Sequence, residues 1–341
     1  MNQISSLIKK EIKTELDKSL PKEYYDTFVY SVRDETKCLP LKLLVKSLFR
    51  SATTSENYTE VEIILKANDN ADSLEKLNDL FFSSNKIEKI ENEILKHISI
   101  EVKTRNTPIF VYGKYIKLNR EMSQTPMLIG GKLVTEKSVS DFKKYFGLHF
   151  DATSVVFVTG GREDINVRCF GRPFLLKILE PKQNLNIFQI PLKLYSSIKI
   201  NDLYVVKDIR DQIFGDENLS RKKYGATVFC KGDWIVNSGA YELEQRTPLR
   251  VLHRRANLNR KRKIEIVETI KKDIETYYVE LYTDAGTYVK EFVNGDFGRT
   301  VPSLTSINRY FCDCIELDVL EICKDPLDEE FIISKITIIN D

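Results

Sequence analysis

The stretch VVFVTGGREDINVRCFGRPFLLKIL, residues 155–179, decides how the second half of this chain folds. It contains two β-rich runs, VVFV and PFLLKIL, and the loop TGGREDINVR between them has two adjacent glycines at a strand end. Further short runs follow, separated by Gly, Pro, Asn and Asp: NIFQIPLKLY, LYVVKDI, YGATVFCK, KIEIVE, YYVELYT, GTYVKEF and CIELDVLEI. This pattern predicts a mixed, mainly antiparallel sheet.

Upstream of this region the chain has a different pattern. Apolar residues recur at helical spacing and stop before Pro21, where the first helix should end. The residues of this pattern are Ile4, Leu7, Ile8, Ile12 and Leu16. A β-rich run covers residues 60–65, and a helix pair is predicted within residues 72–95. We therefore predict a small α+β module over residues 1–103 and a second domain over residues 104–341.

Length and composition limit the class of protein. A chain of 341 residues is long enough for two domains, and 42% hydrophobic residues argue against general disorder. The formal net charge is only +2, so the overall charge predicts no affinity for nucleic acid. A basic binding surface would have to come from local clustering of charge.

Cysteines, histidines and apolar runs exclude several further classes. The six cysteines contain no CxxC motif and the three histidines lie far apart, so we expect no metal site and no disulfide framework. The amino-terminal residues lack the apolar stretch of a signal peptide, and no run approaches the length of a membrane helix. We expect a soluble, intracellular monomer without a membrane partner, in the cytoplasm or, in a eukaryote, also in the nucleus.

Local charge is densest in residues 246–263, which hold eight Lys or Arg residues and no carboxylate. Such a block can neutralise several phosphates, although a solvated loop or a localisation signal is the alternative. Two further groups add cations: residues 221–223 (RKK) and the series Tyr112, Lys114, Tyr115, Lys117 and Arg120, which mixes aromatic and basic side chains. The three groups together favour a nucleic-acid partner.

One acidic residue, Asp164, and one basic residue, Lys290, are candidates for a catalytic role. Asp164 lies in the glycine-containing loop, where a turn residue or a surface ion pair with Arg162 or Arg168 is the simpler reading. In DAGTYVKEF, the Asp-Ala-Gly turn predicts a hairpin whose second strand carries Tyr288 and Lys290 on one face. A lysine that points inward needs a carboxylate partner, and Asp164 is a candidate; a solvent-facing lysine is the alternative.

Several blocks in residues 105–320 resemble the archaeal and eukaryotic tRNA pseudouridine synthase family usually called Pus-ten. They are FVYGKYIKLNREMSQTP, TGGREDINVRCFGRPF, KKYGATVFC, QRTPLRVLHRRANLNRKRKIE and DAGTYVKEFVNGDFGRTVPSL, in the order of the family. The resemblance implies an α+β pseudouridine synthase fold, with residues 1–103 as a reduced THUMP-like RNA-binding module. It implies tRNA as the partner, an isomerase without a cofactor, and uridine 55 of the TΨC arm as the target, with uridine 54 left open.

The same resemblance implies roles for individual residues. Asp164 corresponds to the catalytic aspartate, which acts on the ribose of a flipped uridine either as a nucleophile or as a base. Lys290 would hold Asp164 ionised, and Tyr224 would stack on the uracil and take the proton from carbon 5. The implied substrate-binding residues are Arg162, Tyr288, Leu304, Arg246, Arg254 and Arg255, with Leu304 packing against the base and the arginines contacting phosphates.

The chain departs from the family pattern in two places. Asn166 stands where the family commonly has a second acid, so we do not expect it to be essential. Family members usually carry paired CxxC motifs near the amino terminus, whereas this chain has only Cys38 there, which predicts an accessory module without zinc. A non-catalytic RNA-binding adaptor is the alternative function. A methyltransferase with a THUMP-like module is disfavoured, because TGGRED precedes a strand instead of a helix.

Overall fold

The computed structural model describes most of the chain, namely residues 4–21, 24–25, 27–36, 39–49, 57–68, 95–183, 185, 189–211, 221–325 and 327–339. Apart from residue 95, the helix pair predicted within residues 72–95 lies outside these described residues. The chain divides into two compact units, one formed by Met1–Ile109, Phe146–Val156 and Lys177–Ile187, the other by Phe110–Tyr145, Phe157–Leu176 and Phe188–Asp341.

The amino-terminal part of the first unit is a small α+β structure. Its elements are α1 (Ile4–Ser19), β1 (Phe28–Asp34), α2 (Leu39–Leu48), β2 (Thr59–Ala67) and β3 (Ile98–Asn106). The strand order is β1-β2-β3, parallel between β1 and β2 and antiparallel between β2 and β3. Ile8 and Ile12 of α1 pack with Leu41, Val45 and Ile63 in a buried core. The predicted first helix and the strand at residues 60–65 are confirmed, while the THUMP-like character and the 103/104 boundary stay predictions.

The rest of the chain is built mainly from strands. They are β4 (Ile109–Lys117), β5 (Leu128–Ile129), β6 (Lys132–Leu133), β7 (Ser154–Thr159), β8 (Val167–Leu179), β9 (Gln189–Pro191), β10 (Ile198–Val206), β11 (Lys222–Cys230), β12 (Gly239–Arg246), β13 (Asn259–Lys271), β14 (Thr276–Thr283), β15 (Thr300–Val301), β16 (Cys312–Ile322), β17 (Ile332–Lys335) and β18 (Thr337–Ile339). The α-helices whose bounds lie within the described residues are α3 (Lys143–Phe150), α4 (Val289–Asn294) and α5 (Leu304–Asn308). Short 3₁₀ turns cover Val139–Phe142, Leu249–Val251, Asp296–Gly298 and Glu329–Phe331.

Within the described residues, eleven strands form one sheet in the order β15-β12-β13-β14-β11-β16-β8-β4-β10-β17, with β7 paired to β8. The pairs from β12 to β16 along this order are antiparallel, and the pair between β16 and β8 is parallel. The predicted mixed, mainly antiparallel sheet is therefore confirmed. The parallel pair aligns Leu317 of β16 with Val167 of β8, which fixes the loop before β8 beside the centre of the sheet.

The segment GTYVKEF forms a turn followed by the start of a helix, so its prediction as a strand is wrong. Strand β14 ends at Thr283, and a turn held by the Thr287 hydroxyl, which donates to the Asp284 carbonyl at 2.8 Å, leads into α4. Val289, Phe292 and Val293 are buried at helical spacing, and Gly295 ends the helix at φ 86°. Tyr288 and Lys290 consequently do not alternate along a strand.

The series Tyr112 to Arg120 is not the basic and aromatic surface that the sequence predicts. Strand β4 lies between β8 and β10 inside the sheet, and Tyr112, Tyr115 and Lys117 are fully buried. Lys114 pairs with Asp325 instead of facing an RNA. The side chains of β4 are buried or half-buried on both faces of the sheet, so the mixture of rings and cations gave a misleading surface pattern.

Candidate active site

A cavity of about 840 Å³ lies in the second unit, on the loop between β7 and β8. Its wall includes loop residues 160–165, Lys222 and Tyr224 of β11, and residues 285–290 between β14 and α4. The turn after β12 adds Arg250, Arg254 and Arg255. Four stretches that are far apart in sequence thus meet around one space, and its volume lies within the usual range of ligand pockets.

Asp164 is held on this wall by two cations. The Lys290 ammonium donates to Oδ2 of Asp164 at 3.0 Å, and Nη1 of Arg250 lies 3.1 Å from the same oxygen. Lys290 also donates to Oδ1 of Asn166 at 2.9 Å, which orients the ammonium toward the loop. The predicted contact between Asp164 and Lys290 is confirmed, although a helix instead of a strand supplies the lysine.

Arg250 is itself positioned by a second carboxylate. Its Nε donates to Oε1 of Glu291 at 2.6 Å, and the Glu291 side chain is only 5% exposed. The guanidinium also lies 6.0 Å from the ring centre of Tyr288. The Tyr288 backbone is fixed by Gln245, whose amide nitrogen donates to the Tyr288 carbonyl at 3.0 Å and whose amide oxygen accepts from the Tyr288 N–H at 2.8 Å. Arg250 is therefore oriented between Asp164 and Glu291.

The charges around Asp164 keep its carboxylate ionised. Burial alone would raise the pKa of Asp164, but the positive charges of Arg250 and Lys290 and their hydrogen bonds outweigh it and lower the pKa below the ordinary 3.8. The side chain is still 35% exposed, so one edge faces the cavity. Asp164 can thus serve as a nucleophile or as a base, because both roles require the ionised form.

Tyr224 of β11 borders the same cavity, as the sequence predicts. Burial raises the pKa of the Tyr224 phenol to about 12. The phenol is therefore protonated at neutral pH and presents a flat ring with a hydrogen-bond donor. It can accept a proton only if it passes its own proton on in the same step.

Four buried polar side chains lie beneath the loop between β7 and β8. We call them the inner network: Tyr115, Gln124, Glu163 and Arg172. Nε of Arg172 donates to Oε2 of Glu163 at 2.7 Å, and the Tyr115 hydroxyl donates to the same carboxylate at 2.9 Å. Gln124 donates to the Tyr115 oxygen at 2.9 Å and to the Gly161 carbonyl at 3.0 Å. These bonds fix the loop from below, one residue before Asp164.

Buried Lys117 fixes the other side of the loop. Its ammonium donates to three backbone carbonyl oxygens: Met122 at 2.9 Å, Asp164 at 3.2 Å and Ile165 at 2.9 Å. Burial lowers the pKa of Lys117. The backbone of Asp164 is therefore held by a side chain that the sequence predicted to contact RNA.

The structure brings most of the predicted site residues together. Asp164, Tyr224, Lys290, Arg162, Tyr288, Arg254 and Arg255 all border the cavity. Two predicted residues do not: Leu304 is fully buried at the start of α5, and exposed Arg246 ends β12 with its N–H bonded to the Arg299 carbonyl at 2.8 Å. The apolar part of the wall comes instead from residues such as Leu317 and Val319.

Sequence reasoning missed Arg250 and Glu291 as parts of the site. Arg250 was one of eight cations in a basic block, and nothing in the block distinguishes a paired arginine from a solvated one. The helical spacing of Val289, Phe292 and Val293 before Gly295 could have indicated a helix, and with it the position of Glu291 one residue after Lys290. In the described part of the chain, no group of three or more His, Cys, Asp or Glu side chains could hold a metal ion.

The fold class is that of the pseudouridine synthases, a mixed structure with a mainly antiparallel sheet. Residues 110–323 match the family described as Pus10, C-terminal, and the chain belongs to this family. The tRNA pseudouridine synthase Pus10 of Xenopus laevis is 35% identical over 243 residues, which cover 66% of this chain and 47% of that protein. The protein of the same name from Methanocaldococcus jannaschii is 35% identical over 267 residues, 70% of this chain and 59% of that protein.

The human tRNA pseudouridine synthase Pus10 is 33% identical over 244 residues, 66% of this chain and 46% of that protein. This chain thus spans about half the length of several curated relatives that it matches. Among solved structures, a Cbf5-Nop10-Gar1 complex aligns with a TM-score of 0.31 and 15% identity, covering 60% of this chain and 47% of that chain. No helix among the described residues is long and apolar enough to cross a membrane.

Proposed function

We propose that this chain is a tRNA pseudouridine synthase that isomerises uridine 55 of the TΨC arm, with uridine 54 as the neighbouring candidate target. The observation that carries the proposal is the ionised Asp164 carboxylate, held between Lys290 and Arg250 in a cavity that Tyr224 also borders. Membership of the Pus10 C-terminal family and the names of the curated relatives support tRNA as the substrate.

The proposed reaction requires no cofactor, because its atoms balance within the nucleoside. The bond between N1 of uracil and C1′ of ribose breaks, the base turns, and a new bond joins C5 to C1′. C5 then loses its proton, and N1 ends with one. Asp164 either attacks C1′ or removes a neighbouring ribose proton; both routes use the ionised carboxylate, which Lys290 and Arg250 maintain.

Binding of a flipped nucleotide explains the other residues of the cavity. A base in a folded RNA arm must leave its stack before a side chain reaches it, and contacts elsewhere must offset that cost. The Tyr224 ring offers a stacking surface, and its protonated phenol offers a donor. Exposed Arg162, Arg254 and Arg255 border the cavity and are suited to contact phosphates near the target uridine.

The decisive experiment maps pseudouridine at single-nucleotide resolution in an unmodified tRNA transcript incubated with the purified chain. We expect product at uridine 55 with the wild type and none with Asp164→Ala, while a gel-shift assay shows that both proteins still bind the tRNA. Binding without product in the wild type would contradict the proposal and support the RNA-binding adaptor. Full product with Asp164→Ala would remove Asp164 from the mechanism.

A further inference from the structure

Lys222 is a cation of the cavity wall that the proposed reaction does not use. It begins β11 two residues before Tyr224, and both residues border the cavity because side chains two apart share a face of a strand. Among the described residues, no carboxylate pairs with its ammonium. Burial, together with the nearby charge of Arg172, lowers the pKa of Lys222 to about 8.

Arg172 of the inner network presents a second unused donor at the same place. Its side chain is only 2% exposed and borders the cavity, and its Nη1 has no hydrogen-bond partner among the described residues. A Cβ atom built on Gly161 would lie 3.2 Å from Nη1 of Arg172 and 3.8 Å from Nζ of Lys222. The two cationic nitrogens therefore converge on Gly161, at the inner end of the Asp164 loop.

The charges on this part of the wall do not balance. Of the three cations near Glu163, Arg172 pairs with that carboxylate and buried Lys117 donates to three backbone carbonyl oxygens. The Lys222 ammonium is left without a partner among the described residues. Asp164 is not free to compensate it, because Lys290 and Arg250 already bind that carboxylate. A poorly hydrated, unpaired charge is unfavourable, so the missing negative charge should come from a ligand.

We propose that Lys222 and Arg172 form a subsite for a backbone phosphate next to the flipped nucleotide. This inference rests on the proposed function, in which Tyr224 supports the base. Lys222 lies one strand repeat from Tyr224, about 7 Å along β11, a distance that suits a base and its neighbouring phosphate. A uracil carbonyl would satisfy one donor but would not supply the missing charge, which favours phosphate over the edge of the base.

The first test compares two neighbouring lysines of β11 that face opposite sides of the strand. Lys222→Met removes the cavity cation, whereas Lys223→Met removes a lysine that pairs with Glu280 at 2.6 Å. We expect Lys222→Met to weaken binding to a tRNA transcript about tenfold and to lower the slope of log affinity against log salt by about 0.7–0.9. Lys223→Met should leave the slope unchanged, and Lys222→Arg should restore it.

The pH dependence of binding gives a second readout of the same charge. Because the pKa of Lys222 is about 8, its ammonium loses its charge as pH rises through that value. The affinity of the wild type for tRNA should fall between pH 7 and 9, and the affinity of Lys222→Arg should fall less. An identical pH dependence of the two proteins would contradict a role for the Lys222 charge.

A third test identifies the phosphate that Lys222 contacts. It replaces the backbone phosphate on one side or the other of the target uridine by a neutral methylphosphonate. At one of the two linkages, the methylphosphonate should lower the affinity of the wild type for tRNA about tenfold. The same substitution should not lower the affinity of Lys222→Met, which already lacks the ammonium. Equal losses in both proteins at both linkages would overturn the subsite. The subsite would also be overturned if Lys222→Met responded to the methylphosphonates as the wild type does but changed its relative affinity for tRNA carrying uridine or 4-thiouridine at the target position. That result would indicate that Lys222 contacts the base.

These measurements separate the subsite from the reaction, because they read binding without turnover. If the effect of one methylphosphonate depends on Lys222 while the wild type makes no pseudouridine, the result contradicts the proposed function but supports the subsite. Pseudouridine formation without coupling would retain the function and remove the subsite. Lys222→Met should unfold at a temperature no lower than that of the wild type, because it removes an unpaired charge. That result would confirm that the fold is intact.

Discussion

Glu163 and Asp164 are adjacent in sequence but belong to regions of opposite character. Glu163 lies in the inner network, 6% exposed, and binds Arg172 and Tyr115. Asp164 belongs to what we call the cavity cluster, formed by Asp164, Lys290, Arg250 and Glu291, and its side chain is 35% exposed. One carboxylate faces into the protein and the other faces the cavity.

The difference shows that two adjacent residues of one short loop have different roles: Glu163 stabilises the fold, and Asp164 is available for the reaction. Glu163 is surrounded by donors on a closed side, so its charge serves to neutralise Arg172 and to hold the loop. Asp164 has two cations on one side and open space on the other, so its ionised carboxylate can meet a substrate. Substitutions in the two regions should therefore affect different measurements.

The largest effect is expected for Asp164→Asn. The amide keeps the size of the side chain but cannot act as nucleophile or base, so the single-turnover rate of pseudouridine formation should fall more than about 1,000-fold. The dissociation constant for tRNA should change little. The thermal unfolding temperature should fall modestly, because the ion pairs of Asp164 with Lys290 and Arg250 are lost. A rate within about tenfold of the wild type would place the chemistry elsewhere.

Glu163→Gln should mainly reduce stability. The change leaves the Arg172 charge buried without a carboxylate, which typically costs about 3–5 kcal/mol of unfolding free energy. Thermal and chemical unfolding of the variant, compared with Asp164→Asn, measure this cost. If Glu163→Gln is as stable as the wild type but inactive, the roles of the two carboxylates are the reverse of those inferred here.

Arg250→Met should change how activity depends on pH. Arg250 lowers the pKa of Asp164, so its removal raises that pKa, and the ionised fraction is lost at a higher pH as the solution is acidified. We expect the loss of rate to be larger at pH 5 than at pH 8. The wild-type carboxylate, with its pKa below 3.8, should stay ionised throughout this range. A loss independent of pH would mean that Arg250 acts by contact with the RNA alone.

The same pKa shift has a consequence for stability. Because the folded protein lowers the pKa of Asp164, ionisation of this group stabilises the fold above its ordinary pKa of 3.8. That contribution is lost as pH falls through the lower, folded value. In Arg250→Met it should be smaller, since one of the two stabilising cations is absent.

The smallest effect is expected for Asn166→Ala. Asn166 accepts one hydrogen bond from Lys290, and Lys290 keeps its contact with Asp164 without it. We expect a rate reduction of about two- to fivefold, the size of one ordinary hydrogen bond. This agrees with the sequence-based expectation that Asn166 is not essential. A loss comparable to that of Asp164→Asn would show that Asn166 takes part in the chemistry.

Part of the site could be predicted because it depends on local patterns. The loop before β8 follows from the local pattern of strands and glycines. The contact between Asp164 and Lys290 and the place of Tyr224 beside the cavity were expected from the family resemblance. The short turn between β14 and α4 was predicted as a hairpin, because period-two and helical patterns are hard to distinguish over seven residues. The positions of Leu304 and Arg246 away from the cavity could not be predicted, since both depend on distant packing.

The series in β4 shows the same limit most clearly. Its alternating rings and cations predict a surface for RNA, yet Lys117 is buried and bonds to three loop carbonyls. No local pattern states that a strand will be the eighth in a sheet of eleven and covered on both sides. An unusual buried lysine is therefore recognised only after the sheet order is known.

The sequence alone determined most of the strands, the acidic loop, the basic residues and the family to which they belong, because hydrophobic periodicity and short motifs are properties of neighbouring residues. Only the tertiary structure decided that Arg250 and Glu291 join Asp164, that Lys117 is buried under the loop and that Lys222 remains unpaired among the described residues. The physical reason is that the energy of a charge depends on its solvent exposure and on the residues around it, and here those residues come from distant parts of the chain.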